Sequence, residues 1–470
     1  MSVFSPSQLA AWTGGTWTAQ PAMPLRGFAI DSRLLAPGQV FVALKTDKRD
    51  GHKFLKAAEA GGASAAMVAL ADPHSGLPQL VVPDPLAAFQ TIAREHRRNF
   101  TGKVIGISGS CGKTSTKNLL ALLLGEESGD VLATEGNLNN HLGVPLTLTR
   151  INPALHKFAV VEAGISAPGE MAPLARMIEP DLALITLIAP AHIEELGDLD
   201  GVAREKVKLP IALRASGIAV FPRQCAELTP FRELGVRTLV VEPAEVLRPA
   251  EPPKDRVFFA VSHRDDNTVV AIAYGAPPPL IFTLRRISNG MAQNAALAIC
   301  SALWLGVPHQ VVQERLASWQ PAQWRGELRQ EEGRSLYLDC YNANPASMAD
   351  ALEMFFATTS PDEPRLLVLG GMEELGERAA DYHCKLGLSL CLGEQDQVVL
   401  IGPHARDVQA GAIVAGSRPD QIHIVGSIDA VRTRLAGFHG AVFMKGSRRH
   451  ALETALEPSR LPVEAENATC

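Results

Sequence analysis

The chain has 470 residues, 46% hydrophobic and 20% charged, with a formal net charge of −6. The length predicts roughly two to four domains with ample core, and the acidic balance, with basic residues only in short pairs such as Arg97-Arg98 and Arg448-Arg449, argues against a nucleic-acid partner. Seven cysteines, odd in number and without a C-x-x-C pair, argue against a disulfide framework or a zinc site and for reduced thiols in a cytosol. The opening MSVFSPSQLAAW has no basic n-region, and no apolar run is long enough to span a membrane, so a cytoplasmic protein is expected.

Residues 1–98 read as a small α/β domain. Strands are expected at Val40–Leu44, Ala65–Leu70 and Leu80–Val82, and helices at Phe54–Ala60 and Pro85–Arg98. Two polar clusters interrupt the apolar pattern: Asp31-Ser32-Arg33 and Asp50-Gly51-His52. By themselves they read as turn and capping residues, with ligand contact the alternative.

Residues 99–320 read as a central domain. Val104, Ile105 and Ile107 form a buried strand, followed by Gly109-Ser110-Cys111-Gly112-Lys113-Thr114-Ser115 and a helix carrying Leu119, Leu120, Leu122 and Leu123. Strand, glycine-rich turn, Lys-Thr and helix is the physical recipe for holding a polyphosphate. Backbone N–H groups converge on phosphate oxygens, the helix N-terminus adds positive potential, Lys113 adds charge and Thr114 can ligate Mg²⁺. The usual early glycine is replaced by Ile107, leaving a shorter G-x-x-G-K-T form. Cys111 is placed to offer its backbone N–H, although a helix N-terminus would also act to lower its thiol pKa.

Next comes an amide-rich loop holding Asn137, Asn139, Asn140 and His141. The strand Phe158–Val161 ends on Glu162, and Leu182–Ile188 ends near His192. In open α/β sheets ligands gather outside the carboxyl ends of strands, so Lys113, Glu162 and His192 can converge. Glu162 and His192 suit Mg²⁺ or Mn²⁺ beside a phosphate, with a purely structural role as the alternative for each. Strands at 218–221 and 238–241, a Pro-rich loop Pro243–Pro253, a β-rich edge at 257–284 and a buried helix Asn294–Leu305 complete the block.

In residues 321–470 strand and helix alternate, predicting a second parallel-sheet, Rossmann-like domain without its own phosphate loop. Its strand at Leu336–Leu338 leads into Asp339-Cys340-Tyr341-Asn342-Ala343-Asn344-Pro345. Asn344 is expected as an N-cap, Pro345 as the first helical residue and Ser347–Phe356 as the helix. The predicted fold class is therefore α/β in three domains.

These stretches resemble the Mur ligase superfamily over nearly the whole chain. DSRLLAPGQVFVAL and DGHKFLKAA are similar to its UDP-sugar-binding segment, and GSCGKTS to its short phosphate loop. TEGNLNNHLGVPLTL, the Glu162 strand end and APAHIEELG match its central domain. DCYNANPASM, GGMEELGERAADYH and KGSR match its C-terminal domain. The Y-N-A-N-P run is the most specific, matching the branch that adds D-alanyl-D-alanine to UDP-N-acetylmuramoyl-tripeptide.

The resemblance implies ATP-dependent amide ligation through an acyl phosphate, with Mg²⁺, those two substrates and a monomer. It implies catalytic roles for Lys113, Glu162, His192 and Lys206, the last as a carbamate with a plain exposed lysine as the alternative, and metal contacts from Thr114, Glu162, His192 and Lys206. ATP contacts are implied for the phosphate loop from Gly109 to Ser115 and for Asn294, Arg325 and Asp339. Substrate contacts are implied for Ser32, Arg33, Asn137, Asn139, Asn140, Tyr341, Asn342, Asn344, Lys445 and Arg448. The chain departs from the pattern at Gly290, where the family usually has His, and at Leu187, where it usually has Asn. A sister ligase or a folylpolyglutamate synthase is disfavoured by Y-N-A-N-P. A nucleotide switch that has lost ligation is disfavoured by the retained Lys113, Glu162, His192 and Lys206.

Overall fold

Val104, Ile105 and Ile107 have no exposed surface, because their strand, Lys103–Ser108, runs through the interior of the largest sheet. The computed structural model describes residues 3–247, 254–275, 278–331 and 333–456. Of the expected Pro243–Pro253 loop, residues 248–253 lie outside the described residues, and Pro243 itself closes the strand Thr238–Pro243.

Lys103–Ser108 pairs in parallel with Phe158–Glu162 on one side and Leu182–Ile185 on the other. Val131–Ala133 closes one edge. In the other direction Ile218–Pro222, Thr238–Pro243 and Arg256–Arg264 follow in parallel, then Asn267–Ala273 and Leu280–Arg285 antiparallel. The expected β-rich edge is thus the far side of this nine-stranded sheet. Strands covered on both faces read as continuous apolar runs, which is why they were visible in the sequence. On one face Leu119, Leu120 and Leu123 of the helix Lys113–Leu124 share a core with Ala295, Ala296 and Ile299 of the helix Asn289–Trp304. The chain crosses from one side of Lys103–Ser108 to the other between Phe158–Glu162 and Leu182–Ile185. The switch point therefore lies beside the glycine-rich turn.

The first sheet has five strands in the order Thr16–Trp17, Gln79–Val81, Ala65–Val68, Val40–Val42, Phe28–Ala29, parallel except for the first pair. The last sheet has six: Glu327–Glu331, Arg334–Asp339, Gly440–Lys445, Arg365–Gly370, Gln397–Ile401, Ile422–Val425. Only Glu327–Glu331 is antiparallel there. The expected three-part α/β fold is the observed one. Thr16–Trp17, Phe28–Ala29, Val131–Ala133 and Glu327–Glu331 were not foreseen; the first three are only two or three residues long, and the last is polar or charged except for Leu328.

Arg97, without exposed surface, fastens the first sheet's helix Pro85–Arg98 to the central sheet. Its guanidinium donates to the Ile178 carbonyl at 2.9 Å, the Glu179 carbonyl at 2.8 Å and the Asp181 carboxylate at 2.8 Å. Among the described residues no helix is long and apolar enough to cross a membrane.

Candidate active site

The turn after Lys103–Ser108 is built by two glycines in left-handed backbone. Gly109 has φ 148° and Gly112 has φ 76°. Both are also crowded. A Cβ at Gly109 would stand 1.9 Å from the Thr186 hydroxyl, and one at Gly112 2.3 Å from the Asn294 amide. Glycine is therefore required twice over, for conformation and for space. Between them Ser110 is fixed by its neighbours. Its N–H donates to the Leu187 carbonyl at 2.7 Å, and its hydroxyl donates to the Ala189 carbonyl at 2.8 Å. The helix Lys113–Leu124 then starts at Gly112, with its first N–H groups directed at the turn.

Around this terminus the side chains are interlocked. Thr114 donates its hydroxyl to Glu162 at 2.9 Å, and the Asn139 amide donates to the other Glu162 oxygen at 2.8 Å. Lys113 Nζ donates to the Gly109 carbonyl at 2.9 Å. Burial lowers the Lys113 pKa, against the opposing attraction of Glu162. Burial pushes the Cys111 thiol up to about 11, so it is no thiolate and its contribution is its backbone. Thr134 and Lys117 support the carboxylate from behind, a role the sequence did not reveal. The Thr134 hydroxyl accepts from Glu162 N–H at 3.0 Å, and Lys117 Nζ donates to the Thr134 carbonyl.

The third sheet closes over this turn. Asn344 caps the helix Pro345–Thr358 in a capping box with Ser347. Its free amide hydrogens also donate to the Ser110 carbonyl across the gap, at 3.4 Å. Lys445, 1% exposed, pairs with Asp339 and donates to the Asn342 carbonyl at 3.0 Å. The Arg325 guanidinium lies 3.8 Å from the centre of the Tyr341 ring. His192, in left-handed backbone at φ 56°, meets Glu374 of the third sheet, and this contact holds the Glu374 carboxyl below its ordinary pKa.

Between the two sheets is a cleft of about 520 Å³. Its walls include Ser110, Cys111, Gly112, Lys113, Thr114, Ser115, Asn137, Asn139, Asn140, Glu162, His192, Asn294, Arg325, Asp339, Tyr341, Asn342, Asn344 and Lys445. Most of the expected site residues are thus brought together. Ser32, Arg33, Gly109, Arg448 and Lys206 stand outside those walls. Arg33 is paired with Asp31 at 2.6 Å, and Arg448 with Glu453. Lys206 is fully buried behind the site, its Nζ without a hydrogen-bond partner. Burial, then the charge of Lys113, holds its pKa well below that of an ordinary lysine.

The structure adds Asp350, which also lines the cleft and has no signal in the sequence beyond its place on a helix. Gly290, where resemblance led to an expected histidine, has the Asp350 carboxylate in the space a side chain would fill: a Cβ there would stand 2.7 Å from it.

Residues 107–239 match the family model described as Mur ligase middle domain, and residues 324–448 the one described as Mur ligase, glutamate ligase domain. A Synechocystis protein named UDP-N-acetylmuramoyl-tripeptide–D-alanyl-D-alanine ligase is 32% identical over 404 residues, spanning 84% of this chain and 82% of its own. The Escherichia coli protein of the same name is 29% identical over 442 residues, 94% of each chain. Among solved structures, MurF from Acinetobacter baumannii superposes with a TM-score of 0.83 at 27% identity, over 97% of this chain and 98% of that one. MurF ligase from Thermotoga maritima in complex with ADP gives 0.75 at 26% identity, over 92% and 96%.

Proposed function

The chain belongs to the Mur ligase family, and from that premise we propose that it is the ATP-dependent ligase that adds D-alanyl-D-alanine to UDP-N-acetylmuramoyl-tripeptide in cytoplasmic peptidoglycan precursor synthesis. The observation that carries this reading is the shared cleft. A phosphate-holding turn and the carboxyl end of a second parallel sheet face each other across it, close enough for Asn344 to bond Ser110 at 3.4 Å.

Such a site suits two consecutive displacements. The tripeptide carboxylate attacks the γ-phosphorus of ATP, and ADP leaves. The dipeptide amine then attacks the acyl carbon, a C–N bond forms, and phosphate departs with the C–O electron pair. Phosphoryl transfer asks the protein mainly for alignment and charge neutralisation. Lys113 and the N–H groups of the turn hold the β- and γ-phosphates. Asn294 lies against the turn on the adenine side. Arg325 and Asp339 complete the nucleotide site from the third sheet. Tyr341, Asn342, Asn344 and Lys445 face the acceptor end, while Asn137, Asn139 and Asn140 position the tripeptide. Ser32, Arg33 and the first sheet take the UDP-sugar end, and Arg448 lies at the dipeptide end. We divide the chain accordingly at 98 and 320.

The donor set fits Mg²⁺. The Thr114 hydroxyl and the Glu162 carboxylate are an oxygen pair 2.9 Å apart at a helix N-terminus, and Mg²⁺ prefers one or two carboxylates completed by substrate phosphates and water. Among the described residues no three His, Cys, Asp or Glu side chains gather into an all-protein cage, which is in keeping with that preference. Thr114 and Glu162 would hold one ion; His192 and a carbamylated Lys206 would support a second. When bound, Mg²⁺ neutralises phosphate charge.

The test is an assay of purified protein with ATP, Mg²⁺, UDP-N-acetylmuramoyl-tripeptide and D-alanyl-D-alanine. Phosphate release that requires the dipeptide, with pentapeptide product, is expected. Release independent of the dipeptide would overturn the reading.

A further inference from the structure

The helix Asn289–Trp304 belongs to the central sheet, yet its N-terminus is completed by a residue of the third. Ser288 is its N-cap and accepts from Met291 N–H at 3.2 Å. The Ser288 hydroxyl in turn donates to Asp350 at 2.6 Å, and Gly290 N–H donates to the other Asp350 oxygen at 2.7 Å. One turn along the same helix from Asp350, Glu353 accepts from the Asn289 amide at 2.8 Å. A carboxylate at a helix N-terminus satisfies otherwise unpaired N–H groups and complements the dipole.

This contact is not isolated from the chemistry. Asp350 sits on the helix Pro345–Thr358, whose cap, Asn344, reaches the Ser110 carbonyl. The helix it completes carries Asn294, packed against Gly112 of the phosphate turn. One helix of the third sheet therefore grips the nucleotide site at two points, the phosphate turn and the start of the Asn294 helix. Gly290 is the socket, because any Cβ would overlap the carboxylate.

We propose that Asp350 is a positioning residue for the ligation. Its bonds to Ser288 and Gly290 lock the third sheet over the nucleotide, so that Asp339, Asn344 and Lys445 face the phosphate turn during turnover. This rests on the ligase reading. It acts through those residues and not by touching the reacting atoms.

The experiment compares the full chain with Asp350→Ala, Gly290→Ala and the double variant. Alanine for glycine inside a helix ordinarily stabilises it, so a loss in Gly290→Ala reports the socket and not the helix. Each single variant is expected to lower kcat by about tenfold or more, the size set by losing hydrogen bonds to a half-buried charged group. The dissociation constant for ADP, measured by calorimetry, should rise by less than kcat falls, because the phosphate turn is untouched and only the contacts of Arg325 and Asp339 from the third sheet are loosened. The double variant should be little worse than Asp350→Ala alone, because the overlap is gone. Small-angle scattering with ADP and no peptide substrate should show the wild type more compact than Asp350→Ala, a readout independent of which substrates are ligated. Wild-type kcat in Asp350→Ala, losses that multiply in the double variant, or equal compaction in both proteins would each overturn the proposal.

Discussion

Lys206 is an amine with no exposed surface and no hydrogen-bond partner, an arrangement that folding resists unless the charge is removed. Burial and Lys113 both press it toward the neutral form, and a neutral amine is the form that adds CO₂ to become a carbamate. Glu205 beside it is already paired with Lys208. Lys206→Ala is expected to lose most turnover, and small carboxylic acids such as acetate should restore part of it, measured as dipeptide-dependent phosphate release. Full activity in Lys206→Ala would deny the residue any essential role. At this scale the sequence was most informative where a residue's type states its chemistry. Lys113, Thr114 and Glu162 could be named from their places at a turn and a strand end. Glu374 and Asp350 could not, because a carboxylate on a loop or helix looks the same whether it meets water or a histidine from another sheet.

At the scale of elements, local chemistry wrote most boundaries. Asn344 and Pro345 announced the cap and first residue of Pro345–Thr358, and both are as expected. Pro85–Arg98 was legible from end to end, its Asp84 cap accepting from Leu86 and Ala87. The helix expected from Asn294 instead begins at Asn289. Ser-Asn-Gly-Met is a poor helix former, and the residue that completes its start lies 60 positions away. The phosphate turn is the opposite case for its backbone, since the two glycines that shape it lie within the turn, although Leu187, Ala189 and Asn294, which pack or bond against it, are distant in sequence. Gly112→Ala should therefore be damaging by itself. Left-handed backbone costs alanine about 1–2 kcal/mol, and the overlap with Asn294 adds to it. We expect a Tm reduced by a few degrees but a much larger loss of nucleotide affinity, measured by titration with ADP. Unchanged affinity would remove the turn from the nucleotide site.

For the whole molecule, three sheets were readable because parallel strands buried on both faces leave unmistakable apolar runs. How the sheets meet was not readable. Arg97 closes a helix that looks ordinary in sequence, yet its side chain is the bolt between the first two sheets. Arg97→Met should cost up to about 3 kcal/mol, because buried Asp181 would keep only the Val104 N–H at 2.9 Å and the Lys103 ammonium at 3.5 Å. Thermal unfolding would register this as a large fall in Tm; a change of less than about 1 kcal/mol would show that the junction tolerates its loss.

The cleft draws one wall from residues 110–192 and 285–294 and the other from residues 325–445, with Lys445 on Gly440–Lys445, the last strand in chain order among the described residues. On the ribosome the phosphate turn therefore emerges long before the wall that faces it. A chain cut before residue 440 lacks Lys445, and with it the bond that Lys445 makes to the Asn342 carbonyl at 3.0 Å across from the turn.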